Sequence, residues 1–240
     1  MAMPHLAPGQ TPFDLLLVAY AVIGLPIVST LNGRRIARDP SPPLVPRYLR
    51  TMLRGWLTAA AAVLCWWYAR RPFAALGFDV PLSDGGRWGA LVAALAIVAV
   101  AVIQLRLSRL MTAKRQDSLR KQAAYIKILP RTTPELLLFF GVSITAGVWE
   151  ETLYRGFLIW FASTYLGVVG AVVATSVVFG VGHAYQGWRG ATNAGLLGLG
   201  FAIGFALTGS LWWLIVVHAL VDVFGGLTAW RAMRITPRAA

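Results

Sequence analysis

Apolar residues in this chain neither alternate with polar ones nor recur at strand spacing. They come in long runs separated by short basic or proline-rich connections. The runs are 13–31, 53–69, 88–105, 136–163, 165–182, 191–208 and 211–230. Each is close to the roughly 20 residues a helix needs to cross the hydrocarbon layer. Only helices and closed barrels satisfy their backbone groups in lipid, and continuous runs fit helices. The pattern predicts an all-α polytopic transmembrane helix bundle of seven to eight spans. The run 136–163 exceeds one straight crossing and carries Glu150, Glu151 and Arg155. An eighth element is expected in 106–131, where Leu110, Ala113, Leu119, Ala123 and Ile126 stand among charges, as a surface amphipathic helix. Residues 39–46, DPSPPLVP, cannot sustain a helix and read as a stiff connector.

Composition agrees: 58% hydrophobic residues, 13% charged residues and a mean hydropathy of +0.65 exclude an ordinary soluble domain. The excess of 22 Lys and Arg over 9 Asp and Glu gives +13. It concentrates in loops, above all 32–54 and 106–131, as the positive-inside tendency requires, with no basic patch interleaved with exposed aromatics. Nucleic-acid binding is therefore not expected. With those loops cytoplasmic, seven spans leave the N-terminus outside and the tail with Arg231, Arg234 and Arg238 inside. Cys65, the single cysteine, can form neither an internal disulfide nor a cysteine-rich metal site. No basic segment precedes the first run, so it is expected to be retained rather than cleaved. The chain reads as one integral membrane unit, 1–240, with scaffold spans in 13–105, a basic cytoplasmic connection in 106–131 and a catalytic core in 136–230. Gly200 and Gly204 have the spacing of a close helix contact. No internal repeat is visible, which counts against a transporter built from duplicated halves.

Ionisable groups inside the hydrocarbon layer are expensive unless paired, so those present point to function. They are Glu150, Glu151 and Arg155 on the fourth run, His183 at the end of the fifth, and His218 with Asp222 on the seventh. Glu151 and Arg155, four apart, share a helical face and suit an ion pair. Glu150 points elsewhere without a sequence-local counter-ion, as a general base requires. Asp222 lies one turn beyond His218 and can fix its tautomer. Two chemistries stay open. In one, Glu150 and His183 activate a water while His218 and Asp222 polarise a scissile carbonyl. In the other, Glu150, His183 and His218 ligate zinc with Glu151 as base, although there is no H-E-x-x-H. The metal-free version is favoured, because recruiting Glu150 to a metal removes the best-placed base. A Ser or Cys nucleophile, a P-loop and a dinucleotide fingerprint are not found.

Glu150-Glu151-Thr-Leu-Tyr-Arg155, Phe179-Gly-Val-Gly-His183 and His218-Ala-Leu-Val-Asp222 occur in that order on successive late spans. As an ordered set they resemble the CAAX protease and bacteriocin-processing (CPBP, or Abi) family of intramembrane endopeptidases, over about residues 136–226. The resemblance implies a bundle of mostly eight helices and a cavity reached through the membrane. It also implies an attacking water held by Glu150 and His183, and an oxyanion stabilised by His218 and its partner. Glu151, Arg155 and Phe179 then support the site. Prenyl-protein-processing members end the last motif in asparagine; here it is Asp222, which when ionised cannot donate to an oxyanion. The expected partners are the bilayer and a membrane-associated protein or peptide substrate, the expected location the inner (plasma) membrane of a bacterial cell, and the expected active site faces the cytoplasm. The chief rival is a non-catalytic immunity or adaptor protein of the same fold.

Overall fold

In a computed structural model, residues 9–39, 43–110, 116–118 and 127–234 are described. Residues 111–115 and 119–126 of the expected surface helix, residues 40–42 of the proline connector and Arg238 of the tail lie outside them, while Leu44, Val45 and Pro46, expected in the connector, instead form the first turn of a helix, where a proline is tolerated. Among the described residues every regular element is a helix: α1 Pro12–Ala19, α2 Leu25–Arg38, α3 Leu44–Tyr68, α4 Phe73–Leu76, α5 Asp84–Leu110, α6 Thr133–Glu150, α7 Ile159–Gly182, α8 Gly187–Thr208 and α9 Trp212–Arg234. Wider π turns join α1 to α2 at Tyr20–Gly24 and α6 to α7 at Glu151–Leu158.

Five helical stretches are long and apolar enough to cross a membrane: Pro12–Ile36, Asp84–Arg106, Thr133–Gly182, Ala184–Thr208 and Trp212–Arg234. The third holds two of the expected spans. Its helix breaks at Gly167, whose φ of 65° and ψ of 171° an L side chain rarely adopts, so the chain reverses there. The expected second span is α3, 25 residues long but more polar because Arg47, Arg50 and Arg54 lie in it. The molecule is thus an integral membrane bundle of all-α class.

Large apolar side chains such as Leu57, Leu95, Val169 and Leu207 face outward, as lipid contact requires. The buried interior centres on the second π turn, where all eight residues from Glu151 to Leu158 are buried. Leu153, Tyr154 and Phe157 pack there with Trp66, Leu76 and Phe179. Helix α6 is flanked by α3 and α9, and α7 pairs with α8. Close approaches are made where side chains are absent. A Cβ on Gly147 of α6 would lie 2.6 Å from the Ile215 carbonyl oxygen of α9, and one on Gly198 of α8 would lie 2.9 Å from the Phe179 ring. Gly200 instead faces open space and Gly204 meets the Trp213 ring, so the expected Gly200–Gly204 pair is not a two-helix contact.

The basic connections gather at one end of the bundle. There Lys127 Nζ donates to the Asp39 carbonyl and the Tyr48 hydroxyl to the Ile128 carbonyl. At the opposite end the Arg71 guanidinium grips Asp14 at 2.6 and 2.9 Å, donates to the Gly9 carbonyl and stacks on Trp66 and Trp160. Asp14 is fully buried. Sequence reading passed over this pair, although an aspartate inside the run PFDLLL was its signal.

Candidate active site

The site is assembled from the end of α6 and the π turn after it, the end of α7 and the first half of α9. At the turn, Arg155 donates to Glu151 Oε1 at 2.8 Å, as their four-residue spacing predicts. Its other nitrogen donates to the Gly198 carbonyl at 3.1 Å. The guanidinium lies over the Phe179 ring at 4.6 Å and near Phe201 at 5.4 Å. Phe179 therefore acts as an aromatic lid on a buried cation. Both members of the ion pair are almost wholly buried, at 2% and 0% exposure, which such charges tolerate only when paired and hydrogen-bonded.

The partner of His218 differs from expectation. Its Nδ1–H donates to Glu151 Oε1 at 2.6 Å, so one carboxylate oxygen serves both Arg155 and His218. Asp222 makes no hydrogen bond to His218 among the described residues; the carboxylate that orients the imidazole comes from another helix. The reason is packing. Gly147 lets α9 approach α6 closely, which carries His218 onto the Glu151 side chain. The other ring nitrogen, Nε2, faces Glu150 Oε2 at 3.7 Å. Glu150 thus has no local counter-ion, as read, but faces a histidine from α9. Its side chain is 12% exposed where that of Glu151 is closed off.

His183 ends α7. Its Nδ1–H donates to the Phe179 carbonyl at 2.9 Å, leaving the Nε2 lone pair unengaged by that bond. The rings of Phe179 and His183 lie 4.5 Å apart. Asp222 lies within electrostatic reach of His218, Glu150 and His183, so the four expected catalytic residues fall in one cluster. Sequence reading missed the groups that hold this cluster from outside the motifs. Ser29 of α2 donates to the Gly182 carbonyl at 2.7 Å, Gly33 is in contact with Tyr185, and the Gly198 carbonyl anchors Arg155. A serine or glycine in an apolar run carries no signal of such contacts.

From the site α6 runs 17 residues back to Thr133, about 25 Å at helical rise, and α9 runs a similar distance on to Arg234. The α7–α8 turn lies against α2, where Gly33 touches Tyr185 beside Arg34, and Ala184 is exposed. As for zinc, among the described residues no three His, Cys, Asp or Glu side chains converge on a point that suits a metal ion. Nδ1 of His218 is taken by Glu151 and that of His183 by a carbonyl, which leaves Nε2 as the open ring nitrogen of each.

Fold and site together define a helical integral membrane protein with a buried carboxylate–histidine centre. Residues 132–224 match the family model described as Rce1-like, type II CAAX prenyl endopeptidase Rce1-like. The match runs from the Thr132 cap of α6 to just past Asp222 and takes in all three motifs, and the resemblance read from them to the CAAX protease family holds. No curated protein and no solved structure gives a significant match.

Proposed function

We propose that this protein is an intramembrane endopeptidase that hydrolyses a peptide bond of a membrane-associated protein or peptide with a water activated by Glu150 and His183. The observation that carries this reading is the relay Arg155–Glu151–His218, which ends with Nε2 of His218 opposite the more accessible Glu150. Glu150 takes the proton of the attacking water, and His183 Nε2 holds that water on its other side. Between two glutamates, His218 can carry a proton on each nitrogen, giving one to Glu151 and presenting the other to the oxyanion. Collapse of the tetrahedral intermediate returns the proton from Glu150 to the leaving amine. Glu151 stays ionised throughout, held by Arg155. Asp222 neighbours His218 and His183 and supports the charge of His218 instead of donating to the oxyanion.

The family description names prenyl substrates; with Asp222 in place of asparagine, the reading stops at a membrane-associated polypeptide. Its cleavage is assigned to the cytoplasmic side, because the α7–α8 turn that follows His183 packs against α2 at the end that gathers the basic loops. No metal takes part in the sequence of steps. The decisive test compares the membrane proteomes of cells carrying the wild-type chain and Glu150→Gln. A polypeptide shortened only with the wild type supports the reading. Full biological effect from the variant, with no processed product in either, sinks it in favour of an immunity or adaptor role.

A further inference from the structure

The last turn of a helix leaves carbonyls without an intrahelical donor. At the end of α7 the site histidine itself takes two of them. The Phe179 carbonyl accepts from the His183 ring at 2.9 Å and the Gly180 carbonyl from the His183 backbone N–H at 3.0 Å. His183 thus caps its own helix, and its ring is only as well placed as that turn. The Gly182 carbonyl is taken from outside: Ser29 of α2 donates to it at 2.7 Å. Among the described residues no other hydrogen bond reaches 179–182 from another helix.

The helix that carries Ser29 is itself held firmly. Leu25 is buried in one core with Leu153, Tyr154 and Phe179, and Tyr20 shares a hydroxyl hydrogen bond of 3.1 Å with Thr58 of α3. At the far end of the same segment Arg71 grips Asp14. The Ser29 hydroxyl also reaches the Pro26 carbonyl of its own helix at 3.1 Å. Four residues on, and so on the same face of α2, Gly33 meets Tyr185, where a Cβ would overlap the tyrosine side chain. The serine and the glycine therefore brace the chain on both sides of His183, at Gly182 and at Tyr185. Misplacing a reacting group by about 1 Å costs on the order of 10²-fold in rate, so a brace of this kind bears on chemistry it never touches.

Resting on the peptidase reading, we infer that Ser29 is a positioning residue for His183: by holding the Gly182 carbonyl it fixes the last turn of α7, and with it the direction in which Nε2 meets the attacking water. The first helical segment, which the hydrophobic pattern assigns to scaffold and which lies outside the family match at 132–224, is then a working part of the centre. The test reads the imidazole before any cleavage. Full-length protein carrying isotope-labelled histidine, in nanodiscs, gives nitrogen NMR signals of His183, assigned by their loss in His183→Gln. The wild type should show a proton fixed on Nδ1. Ser29→Ala should mix the tautomers or broaden the signal while leaving His218, held by Glu151, unchanged. Ser29→Thr keeps the hydroxyl and should restore the wild-type spectrum, and Thr30→Ala should not alter it. On the polypeptide that wild-type membranes shorten, Ser29→Ala should lower kcat about 10-fold or more with KM unchanged, at a thermal midpoint like that of Thr30→Ala. If Ser29→Ala does not fold, Ser29→Cys, a weaker donor of similar size, is read in its place. A His183 spectrum indifferent to residue 29, or a rate loss that Ser29→Thr does not recover, overturns the brace and leaves the peptidase reading standing. So does a rise in KM with kcat unchanged. A spectrum that answers to Ser29 in a chain that cleaves no polypeptide upholds the brace and overturns the peptidase reading.

Discussion

Glu150 and Glu151 are adjacent in sequence, yet the proposed mechanism gives them opposite work. Glu150→Gln keeps the shape and removes proton uptake, so cleavage should fall at least about 10²-fold at equal membrane abundance, the lower end of general-base contributions. Cleavage within about threefold of wild type at that abundance ends the assignment. Glu151 and Arg155 act first on folding: leaving either unmatched in the interior costs on the order of 3 to 5 kcal/mol. Glu151→Leu and Arg155→Leu should each lower the yield of folded protein extracted in detergent. The double variant should recover only part of it, because His218 Nδ1 loses its acceptor as well. Full recovery would mean that the imidazole does not depend on Glu151. The Glu151–Arg155 contact was legible because it is local, a fixed consequence of i to i+4 spacing. The choice between Asp222 and Glu151 as the partner of His218 was not, because it depends on how α9 meets α6, which no local spacing encodes.

At the scale of elements, hydrophobic runs located the helices well and their interruptions poorly. The reversal at Gly167 falls within a few residues of the expected turn near Thr164, since a long run must fold back somewhere and glycine permits it. The π turn at Glu151–Leu158 was not legible in the pattern, although all eight of its residues are buried. Such wide turns recur at functional sites, and this one begins with Glu151, directly after Glu150 at the end of α6. Helix contacts made by glycine were equally hidden, since 24 glycines look alike until neighbours are placed. Gly147→Ala should therefore lower the thermal midpoint in detergent, through an overpacking cost of about 1 to 3 kcal/mol, because backbone blocks the added methyl. Gly200→Ala, with nothing nearby, should not. Equal midpoints for the two variants would show that α6 and α9 are not in close contact.

For the molecule as a whole, the proposed cytoplasmic opening makes a prediction about sidedness. A cysteine at the exposed Ala184, in a Cys65→Ala background, should react with a thiol reagent supplied inside and resist an impermeant reagent supplied outside. The reverse pattern would invert the bundle and move its substrate to the other compartment. The metal-free mechanism is checked on purified enzyme: prolonged chelation should leave cleavage unchanged. Near-stoichiometric zinc whose removal abolishes activity and whose return restores it would replace the mechanism.

The clamp between Asp14 and Arg71 bears on how such a chain is made. Its two halves belong to segments synthesised more than fifty residues apart, and neither charge has another ionic partner among the described residues. Until α3 has threaded and delivered Arg71, the first helix carries a carboxylate it cannot bury. The first helix is therefore expected to dock only once Arg71 has arrived. Asp14→Asn should release that wait, letting the first segment partition into lipid early and lose its appointed neighbour.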